Sequence, residues 1–425
     1  MGQMSLTMKS RGGAPLQAFW ALLGNGSYAA AKWGMLLILT RLTDPATVGQ
    51  FALAFAISAP VMMLTDMRLQ FLLAADAHDD HRFSDYLRAR ASLSTLAFLA
   101  IVGFAFFAFG PGRFFLIVAL VTFAKWVESF GDIVNGLYLK HRSVRRMAIS
   151  LGLKAALSLA LFLGAILWTG DVVVACLSMS IAYLLPLAFY DVPVAARLLG
   201  GARALFGLGR DAPSQVGRPA MLRLIRSSAV LGLVALLGSL FSNVANYVIG
   251  SHLGDAQLGI YAAIAYFGVG ARLVATSMIQ PAIPRLAAAY RGGDRAGFRK
   301  SYKSMLTLAL TLGLLGILFA VAVGQPFLVL VYGPSFADKN SLFILTMVSV
   351  AAFHFVQFHW IIFTAMRHLN VQLLLSAMTI VLMLAFALFL TPRFGVPGAV
   401  YSEIAAFGAF ALSAIWVVLT RSRAE

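Results

Sequence analysis

Ionisable side chains stand inside long apolar segments of this chain, where a charge is costly. Four polar residues on one segment are spaced three, four and three positions apart and so share a helical face: Lys125, Glu128, Asp132 and Asn135. Each charge at mid-membrane depth costs about 2.5–3.5 kcal/mol on insertion scales. This face is therefore expected to contact protein or water, and two interpretations stay open. It either lines a transport cavity or forms an internal salt-bridge cluster that holds helices together.

Two cations are isolated on their own segments. Lys32 lies near the middle of the first apolar segment and Arg272 near the middle of the eighth, without an acid nearby on the same segment. A cation at this depth needs an acidic partner on another helix, such as Glu128 or Asp132, or an anionic ligand. The planar guanidinium group binds two oxygens at once and suits phosphate well. We therefore expect Lys32, Lys125 and Arg272 to be the cations of a substrate cavity.

Other polar residues inside apolar segments give weaker signals. Glu403 lies about two turns from one end of the last segment and, with Glu128 and Asp132, is a candidate for coupling transport to H⁺ or Na⁺. Lys154 is expected to extend its ammonium group to the membrane surface. No spacing typical of metal ligands, a nucleophile elbow or a phosphate loop occurs, so we expect no cofactor and no metal. The remaining candidates for a polar cavity lining are Asn25, Asn243, Asn246, His354 and Gln357.

Composition defines the elements that must hold these residues. The chain is 60% hydrophobic and only 12% charged, whereas a soluble domain carries about a quarter charged residues. Apolar runs of about 20 residues can cross the hydrocarbon core as helices. The sequence therefore predicts an all-α polytopic membrane protein with twelve transmembrane helices, at 16–40, 46–74, 91–110, 113–139, 147–168, 171–191, 229–251, 256–281, 304–331, 340–365, 370–391 and 395–420.

The distribution of basic residues predicts the orientation. The net charge is +17, and most of the 33 Lys and Arg residues fall in loops on one side of the twelve segments. This bias follows the positive-inside rule and places both termini in the cytoplasm. It also accounts for the excess positive charge, so no nucleic-acid partner is expected. The segment 192–228 is rich in Gly, Pro and Arg and is predicted to be a cytoplasmic basic linker.

A short motif occurs twice, about half the chain apart. Residues 42–52 read LTDPATVGQFA, and residues 253–262 read LGDAQLGIYA. Because each half of the chain holds an even number of segments, both copies enter the membrane from the same side. The predicted fold is two six-helix bundles, 1–191 and 229–425, related as parallel repeats around a central cavity.

Three motifs then give the chain a family resemblance. They are the repeated turn, the run QPAIPRLA at 280–287, and the run FGVPGAV at 394–400. The chain resembles the polysaccharide transporters, the O-antigen-type flippases of the multidrug/oligosaccharidyl-lipid/polysaccharide (MOP) superfamily. The resemblance implies movement of an undecaprenyl-pyrophosphate-linked oligosaccharide from the cytoplasmic to the periplasmic leaflet of the bacterial inner membrane, by alternating access. It also implies that Lys32 and Arg272 meet the pyrophosphate. The implied partners are membrane lipids, this lipid-linked oligosaccharide and other membrane proteins of polysaccharide assembly.

Other functions are weighed against this one. A cation-coupled multidrug exporter of the same superfamily should carry acids without unpaired cations such as Lys32 and Arg272. A membrane polysaccharide polymerase or ligase usually has a long outer loop with catalytic Arg or His residues, whereas the outer loops here are short. A major-facilitator transporter also has two six-span halves, but its Asp- and Arg-rich turn is absent from 76–90. We therefore expect a transporter and not an enzyme.

Overall fold

Helices account for nearly all of the chain that the structure describes. The computed structural model describes residues 13–76, 81–206, 218–279 and 283–424. A π-helical turn (Leu187–Asp191) and a 3₁₀ turn (Pro334–Lys339) interrupt the α-helices. The predicted all-α class is confirmed. Within the described residues the α-helices are α1 (Gly13–Leu42), α2 (Pro45–Asp66), α3 (Leu69–Ala75), α4 (Phe83–Phe109), α5 (Arg113–Lys140), α6 (Val144–Thr169), α7 (Val172–Pro186), α8 (Val192–Leu198), α9 (Ala202–Leu205), α10 (Arg218–Leu253), α11 (Asp255–Ile279), α12 (Ile283–Arg291), α13 (Arg295–Tyr332), α14 (Asn340–Ala365), α15 (Leu369–Phe394) and α16 (Val396–Ala424).

Eleven helical stretches in the described residues are long and apolar enough to cross a membrane. They start with Pro45–Ala75, which combines α2 and α3, and they match the second to twelfth predicted segments in order. The first predicted segment corresponds to α1, whose 30 residues are long enough to span. Three of its residues inside the predicted segment are polar: Asn25, Ser27 and Lys32. The protein is therefore a multi-pass membrane protein.

The second predicted segment, 46–74, is broken near one end. α2 ends at Asp66, and Met67 and Arg68 adopt left-handed conformations, with φ of 47° and 51°, before α3 begins. α11 is described to Ile279 and α12 from Ile283, and residues 280–282 of the predicted motif lie outside the described residues.

The predicted linker 192–228 is partly helical. The sixth span continues beyond residue 191 to Leu198, because α7, the π-helical turn and α8 form one continuous stretch. Pro193 cannot donate a backbone hydrogen bond, and the widened turn before it instead bonds the Val192 N–H to a carbonyl five residues back. α9 (Ala202–Leu205) follows, residues 207–217 lie outside the described part, and α10 covers 218–228 of the predicted linker.

Contacts divide the chain into two compact units. Unit 1 is Met1–Met35 with Val61–Ala235, and unit 2 is Leu36–Pro60 with Leu236–Glu425. The end of α1 and most of α2 therefore belong to unit 2, and the first part of α10 belongs to unit 1. The predicted halves, 1–191 and 229–425, describe the sequence repeat, whereas the two units describe packing.

Each unit has its own apolar core. In unit 1, α4 and α5 contribute Tyr86 and Tyr138 to a buried cluster. In unit 2, α11, α14 and α16 contribute Ala275, Phe353 and Phe407 to another. These cores position α5 in unit 1 and α11, α14 and α16 in unit 2, which are the helices that carry most of the predicted site residues.

The two copies of the repeated turn contact each other reciprocally within unit 2. A Cβ atom on Gly49 would lie 1.8 Å from the carbonyl oxygen of Asp255, and one on Gly259 would lie 1.9 Å from that of Pro45. Both positions therefore require glycine, because the backbones of α2 and α11 approach too closely for a side chain. The Gln50 amide adds a hydrogen bond of 3.1 Å to the Asp255 carboxylate. The repeated glycine is thus explained by packing.

Candidate functional site

In unit 1, Lys32 on α1 forms an ion pair with Glu128 on α5. The Lys32 Nζ atom lies 2.8 Å from Glu128 Oε1, and the Tyr28 hydroxyl donates a hydrogen bond of 2.7 Å to the same oxygen. Tyr28 precedes Lys32 by one helical turn, and the ammonium group lies 4.4 Å from the centre of its ring. Lys32 therefore has a carboxylate partner on another helix.

The other polar residues of the α5 face differ in their surroundings. Lys125 and Asp132 are half-buried, and Asn135 is buried. Asp132 makes neither a hydrogen bond nor an ion pair within 4 Å with any residue that the structure describes. The face therefore contains one carboxylate with two donors, Glu128, and another without a donor among the described residues.

Two more ion pairs lie inside unit 1. The Arg90 side chain, 1% exposed, contacts the Asp66 carboxylate. The Lys154 Nζ atom lies 3.4 Å from Asp191 Oδ2, and both side chains are fully buried. Two hydroxyl groups donate further hydrogen bonds to the Asp191 carboxylate. The prediction that Lys154 extends to the membrane surface is wrong, because Asp191, at the end of the π-helical turn, binds its ammonium group inside the unit.

In unit 2, Arg272 on α11 has a different set of contacts. Its Nη1 atom donates a hydrogen bond of 3.2 Å to the Ser242 hydroxyl of α10, and its guanidinium carbon lies 5.1 Å from the ring centre of Phe353 on α14. No carboxylate lies within 4 Å of this guanidinium among the described residues. Arg272 lines a small cavity of about 60 Å³ together with Ser242 and Glu403.

Glu403 on α16 is bound by hydroxyl groups. Its carboxylate accepts hydrogen bonds of 2.7 Å from Tyr261 and 2.6 Å from Ser349. Glu403 is buried, and no cation lies within ion-pair distance of it in the part of the chain that the structure describes. Tyr261 belongs to the second copy of the repeated turn, so that motif also supplies a hydrogen-bond donor to this carboxylate. Arg272 and Glu403 thus line one cavity without forming an ion pair.

Of the polar residues predicted to line a cavity, only some lie near the Lys32–Glu128 pair or the Arg272–Glu403 cavity. Gln357 on α14 donates hydrogen bonds to the Thr276 hydroxyl and to the Arg272 carbonyl, so it fastens α14 to α11 beside the guanidinium. His354 is buried, and its Nδ1 atom has no hydrogen-bond partner among the described residues. Asn25 is exposed and donates a hydrogen bond to the carbonyl of Ala21 in its own helix.

Asn243 and Asn246 form a ladder along α10. The Asn246 amide donates to the Asn243 side chain at 3.2 Å, and Asn243 donates to the Ser239 carbonyl at 2.8 Å. Ser242, the hydrogen-bond partner of Arg272, is the neighbour of Asn243 in sequence. Across the described residues no group of three or more metal-ligand side chains occurs. The charged and polar side chains around Arg272 and Glu403 suit binding of a charged solute.

The multi-pass helical fold is one that solved transporters of the MOP superfamily share. An inward-facing multidrug resistance MATE family transporter of this superfamily has a TM-score of 0.79 at 14% identity, over 95% of this chain and 98% of that chain. A MOP superfamily transporter from Pyrococcus furiosus, described as having a binding pocket of reverse polarity, has a TM-score of 0.64 at 14% identity, over 96% and 94%. At such identities these likenesses concern the fold.

The family model described as polysaccharide biosynthesis protein matches residues 17–290, and the chain belongs to this family. It is also similar to the capsular polysaccharide biosynthesis protein CapF of Staphylococcus aureus. The two are 23% identical over 371 residues, which cover 87% of this chain and 90% of the relative. The resemblance to a polysaccharide family that was inferred from the motifs is therefore confirmed, and the fold is that of MOP superfamily transporters.

Proposed function

We propose that the protein is a flippase that moves an oligosaccharide linked to an undecaprenyl-pyrophosphate-type lipid from the cytoplasmic to the periplasmic leaflet. It would act by alternating access in the bacterial inner membrane, with both termini in the cytoplasm, and serve surface polysaccharide biosynthesis. The lipid tail can remain in the bilayer, whereas the hydrated and anionic head needs a polar path. The family assignment supports a polysaccharide as cargo.

The observation that carries the proposal is the contact set of Arg272. Its guanidinium is half-buried and holds one serine hydroxyl and one aromatic ring, with no carboxylate within 4 Å among the described residues. A guanidinium has five N–H donors in a fixed fork, so it retains donors for a ligand. A pyrophosphate group offers the matching oxygens and the opposite charge.

The residues of unit 1 have supporting roles in this proposal. Lys32 exchanges its carboxylate partner, Glu128, for the substrate's anion during the cycle, and Lys125 adds positive charge on the same α5 face. Asp132 and Glu403 are the acids available for coupling to H⁺ or Na⁺, because neither holds a cation within ion-pair distance among the described residues. Other membrane proteins of polysaccharide assembly would deliver and receive the substrate.

The Arg272→Gln variant tests the proposal. We expect it to lower flipping of a fluorescent undecaprenyl-pyrophosphate-linked saccharide in proteoliposomes at least roughly tenfold, because a charge-assisted hydrogen bond contributes about 1.5–3 kcal/mol. Cells that depend on this variant should lose surface polysaccharide while the protein remains in the membrane. Arg272→Lys should retain part of the activity, since it keeps the charge but not the fork.

Arg393→Gln is the matched control. Arg393 is also an arginine with one hydrogen-bond acceptor and one phenylalanine ring, but it is exposed at the end of α15. Its replacement should leave flipping unchanged. If folded Arg272→Gln protein flips the saccharide at the normal rate, the proposal is wrong. Neutralising Lys32 together with Arg272 is less informative, because it also leaves Glu128 without its cation.

A cation-coupled multidrug exporter is the second candidate, and one observation favours it. Glu403 is a buried carboxylate beside a cavity, and a carboxylate suits a cationic solute as well as a coupling ion. The same proteoliposomes discriminate between the candidates. Uptake of a lipophilic cation driven by a proton or sodium gradient, with no flipping of the saccharide, would select the exporter.

A further inference from the structure

A second and larger cavity lies at one end of unit 2, apart from Arg272 and Glu403. Its volume is about 320 Å³, at the lower end of the range of about 300–1,000 Å³ for pockets that bind small molecules. The wall is formed by the end of α12, the first turns of α13 and the last turns of α16. Its principal lining residues are Tyr290, Arg295, Phe298, Arg299, Tyr302 and Leu419.

The lining separates into a basic rim and an aromatic floor. Arg295 and Arg299 are one turn apart on α13, both are exposed, and neither makes an ion pair with another described residue. Asp294 is the acid at this rim, and its carboxylate accepts a hydrogen bond of 2.9 Å from the Gly297 N–H at the start of α13. The two guanidinium groups therefore leave the rim with a net positive charge.

Hydrogen bonds to two histidines fix the tyrosines of the aromatic floor. The Tyr302 hydroxyl lies 3.0 Å from Nε2 of the buried His359, and the Tyr290 hydroxyl lies 3.1 Å from Nε2 of His368. The ring of Phe298 stacks on that of Tyr302, at 4° between the planes. These contacts keep the cavity open as a preformed site, which lowers the conformational cost of binding a ligand.

The sequence pattern sets the cavity at the level of lipid headgroups. α13 has 38 residues, whereas about 20 cross the hydrocarbon core. No charged residue follows Lys303 in this helix, so its apolar crossing begins just after the cavity-lining turns. The apolar run of α16 ends at Thr420, beside Leu419. Tyrosines at this depth are typical of the membrane interface, and the basic-residue bias predicts that this interface is the cytoplasmic one.

We propose that this cavity binds an anionic phospholipid of the cytoplasmic leaflet, with the phosphate between Arg295 and Arg299 and the start of one acyl chain on the aromatic floor. The charge of the rim selects a phosphate group, and the apolar floor selects a lipid over free phosphate. The volume admits a headgroup and the beginning of a chain, not a whole lipid. This inference is independent of the transported substrate.

Native mass spectrometry of the full-length protein tests the inference. Phosphatidylglycerol should bind more tightly than phosphatidylcholine, and the double variant Arg295→Gln/Arg299→Gln should weaken phosphatidylglycerol binding at least roughly tenfold. The matched control is Lys300→Gln/Lys303→Gln, which removes two charges from the same part of α13 at exposed positions outside the cavity lining. It should leave this binding unchanged. Ala289→Phe, which fills the cavity and keeps both arginines, should also abolish it.

Three results would overturn the inference. Equal losses in the arginine and lysine variants would reveal general attraction to the basic surface. Equal affinity for the two phospholipids would exclude selection by the rim. Complete displacement of phosphatidylglycerol by inorganic phosphate would identify a free-phosphate site. The Ala289→Phe variant keeps the inference testable if the double arginine variant does not fold.

Discussion

The polar interiors of the two units are built differently. In unit 1 the cations Lys32, Arg90 and Lys154 each meet a carboxylate on another helix. In unit 2 Arg272 and Glu403 line one cavity, yet each is held by hydroxyl groups and not by the other. Ionisable side chains inside the membrane-spanning helices therefore have two kinds of environment in this chain.

This difference distinguishes cations that hold helices together from a cation that is free of a carboxylate within ion-pair distance among the described residues. A buried ion pair is costly to break but contributes little net stability, so it serves mainly to specify which helices pack together. A half-buried cation without a carboxylate is not explained by packing, since its desolvation is not offset by a charge. The comparison therefore directs attention to Arg272 as a ligand-binding group and to Lys154–Asp191 as a structural pair.

The largest expected effect follows from breaking the most deeply buried pair. Lys154→Met leaves the Asp191 carboxylate fully buried without its cation, which should lower the free energy of unfolding by about 3–5 kcal/mol. Equilibrium unfolding of the purified protein in mixed micelles measures this loss. The double variant Lys154→Met/Asp191→Asn should recover most of it, because asparagine carries no charge, and its amide oxygen can accept one hydroxyl hydrogen bond while its NH2 group donates to the other hydroxyl oxygen.

Lys339→Met is the control for that experiment. Lys339 pairs with Asp338 at 2.6 Å, but the Asp338 side chain is 71% exposed. An exposed pair contributes about 0–1 kcal/mol, so this variant should unfold nearly as the wild type does. An equal loss in the two variants would contradict the structural role assigned to the buried pair.

A smaller effect should distinguish Lys32 from Arg272. Lys32→Gln removes the partner of Glu128 and should cost about 1–3 kcal/mol, since both side chains are only partly exposed. Arg272→Gln breaks no ion pair and should change stability by less than about 1 kcal/mol while it lowers flipping at least roughly tenfold. The two variants are compared by unfolding and by flipping in parallel. A greater loss of stability in Arg272→Gln would remove the distinction between the units.

The helical architecture could be predicted because the length of an apolar run decides whether a helix can span. The same patterns place Lys125, Glu128 and Asp132 on one face but do not determine distances to other helices. Lys32 and Glu128 are 96 residues apart in sequence, and their pairing was one of two open alternatives. One part of this site is local in sequence, since Tyr28, which also bonds Glu128, lies one helical turn before Lys32.

Long-range packing explains what could not be predicted. Nothing in the sequence of α2 indicates that residues 36–60 pack with unit 2, because that depends on the reciprocal contact of Gly49 and Gly259 across the repeat. The burial of Arg90 against Asp66 follows only from how α2 meets α4. The contact set of Arg272 depends equally on neighbouring helices and not on α11 alone.

The smallest expected effect concerns a carboxylate outside the interior, Asp44 in the first copy of the repeated turn. Asp44 precedes α2, and its carboxylate accepts hydrogen bonds from the Thr47 backbone N–H at 3.0 Å and hydroxyl at 2.7 Å. These hydrogen bonds hold the pKa of Asp44 below its usual value. The stability that they provide is therefore fully present above the unfolded-state pKa of about 3.9 and is lost as the pH falls through the lower folded-state pKa.

Asp44→Asn should leave stability at neutral pH nearly unchanged, because asparagine caps a helix about as well as aspartate. The variant should lack the part of the acid destabilisation that comes from protonating Asp44, so its thermal unfolding midpoint should fall less than that of the wild type below about pH 4. Asp44→Ala, which removes the cap, should cost about 1 kcal/mol at neutral pH and less at a pH where Asp44 of the wild type is protonated. Parallel pH profiles for wild type and Asp44→Asn would mean that this exposed carboxylate contributes nothing through its charge. The charge of a carboxylate would then contribute to stability at the buried Asp191 and not at the exposed Asp44.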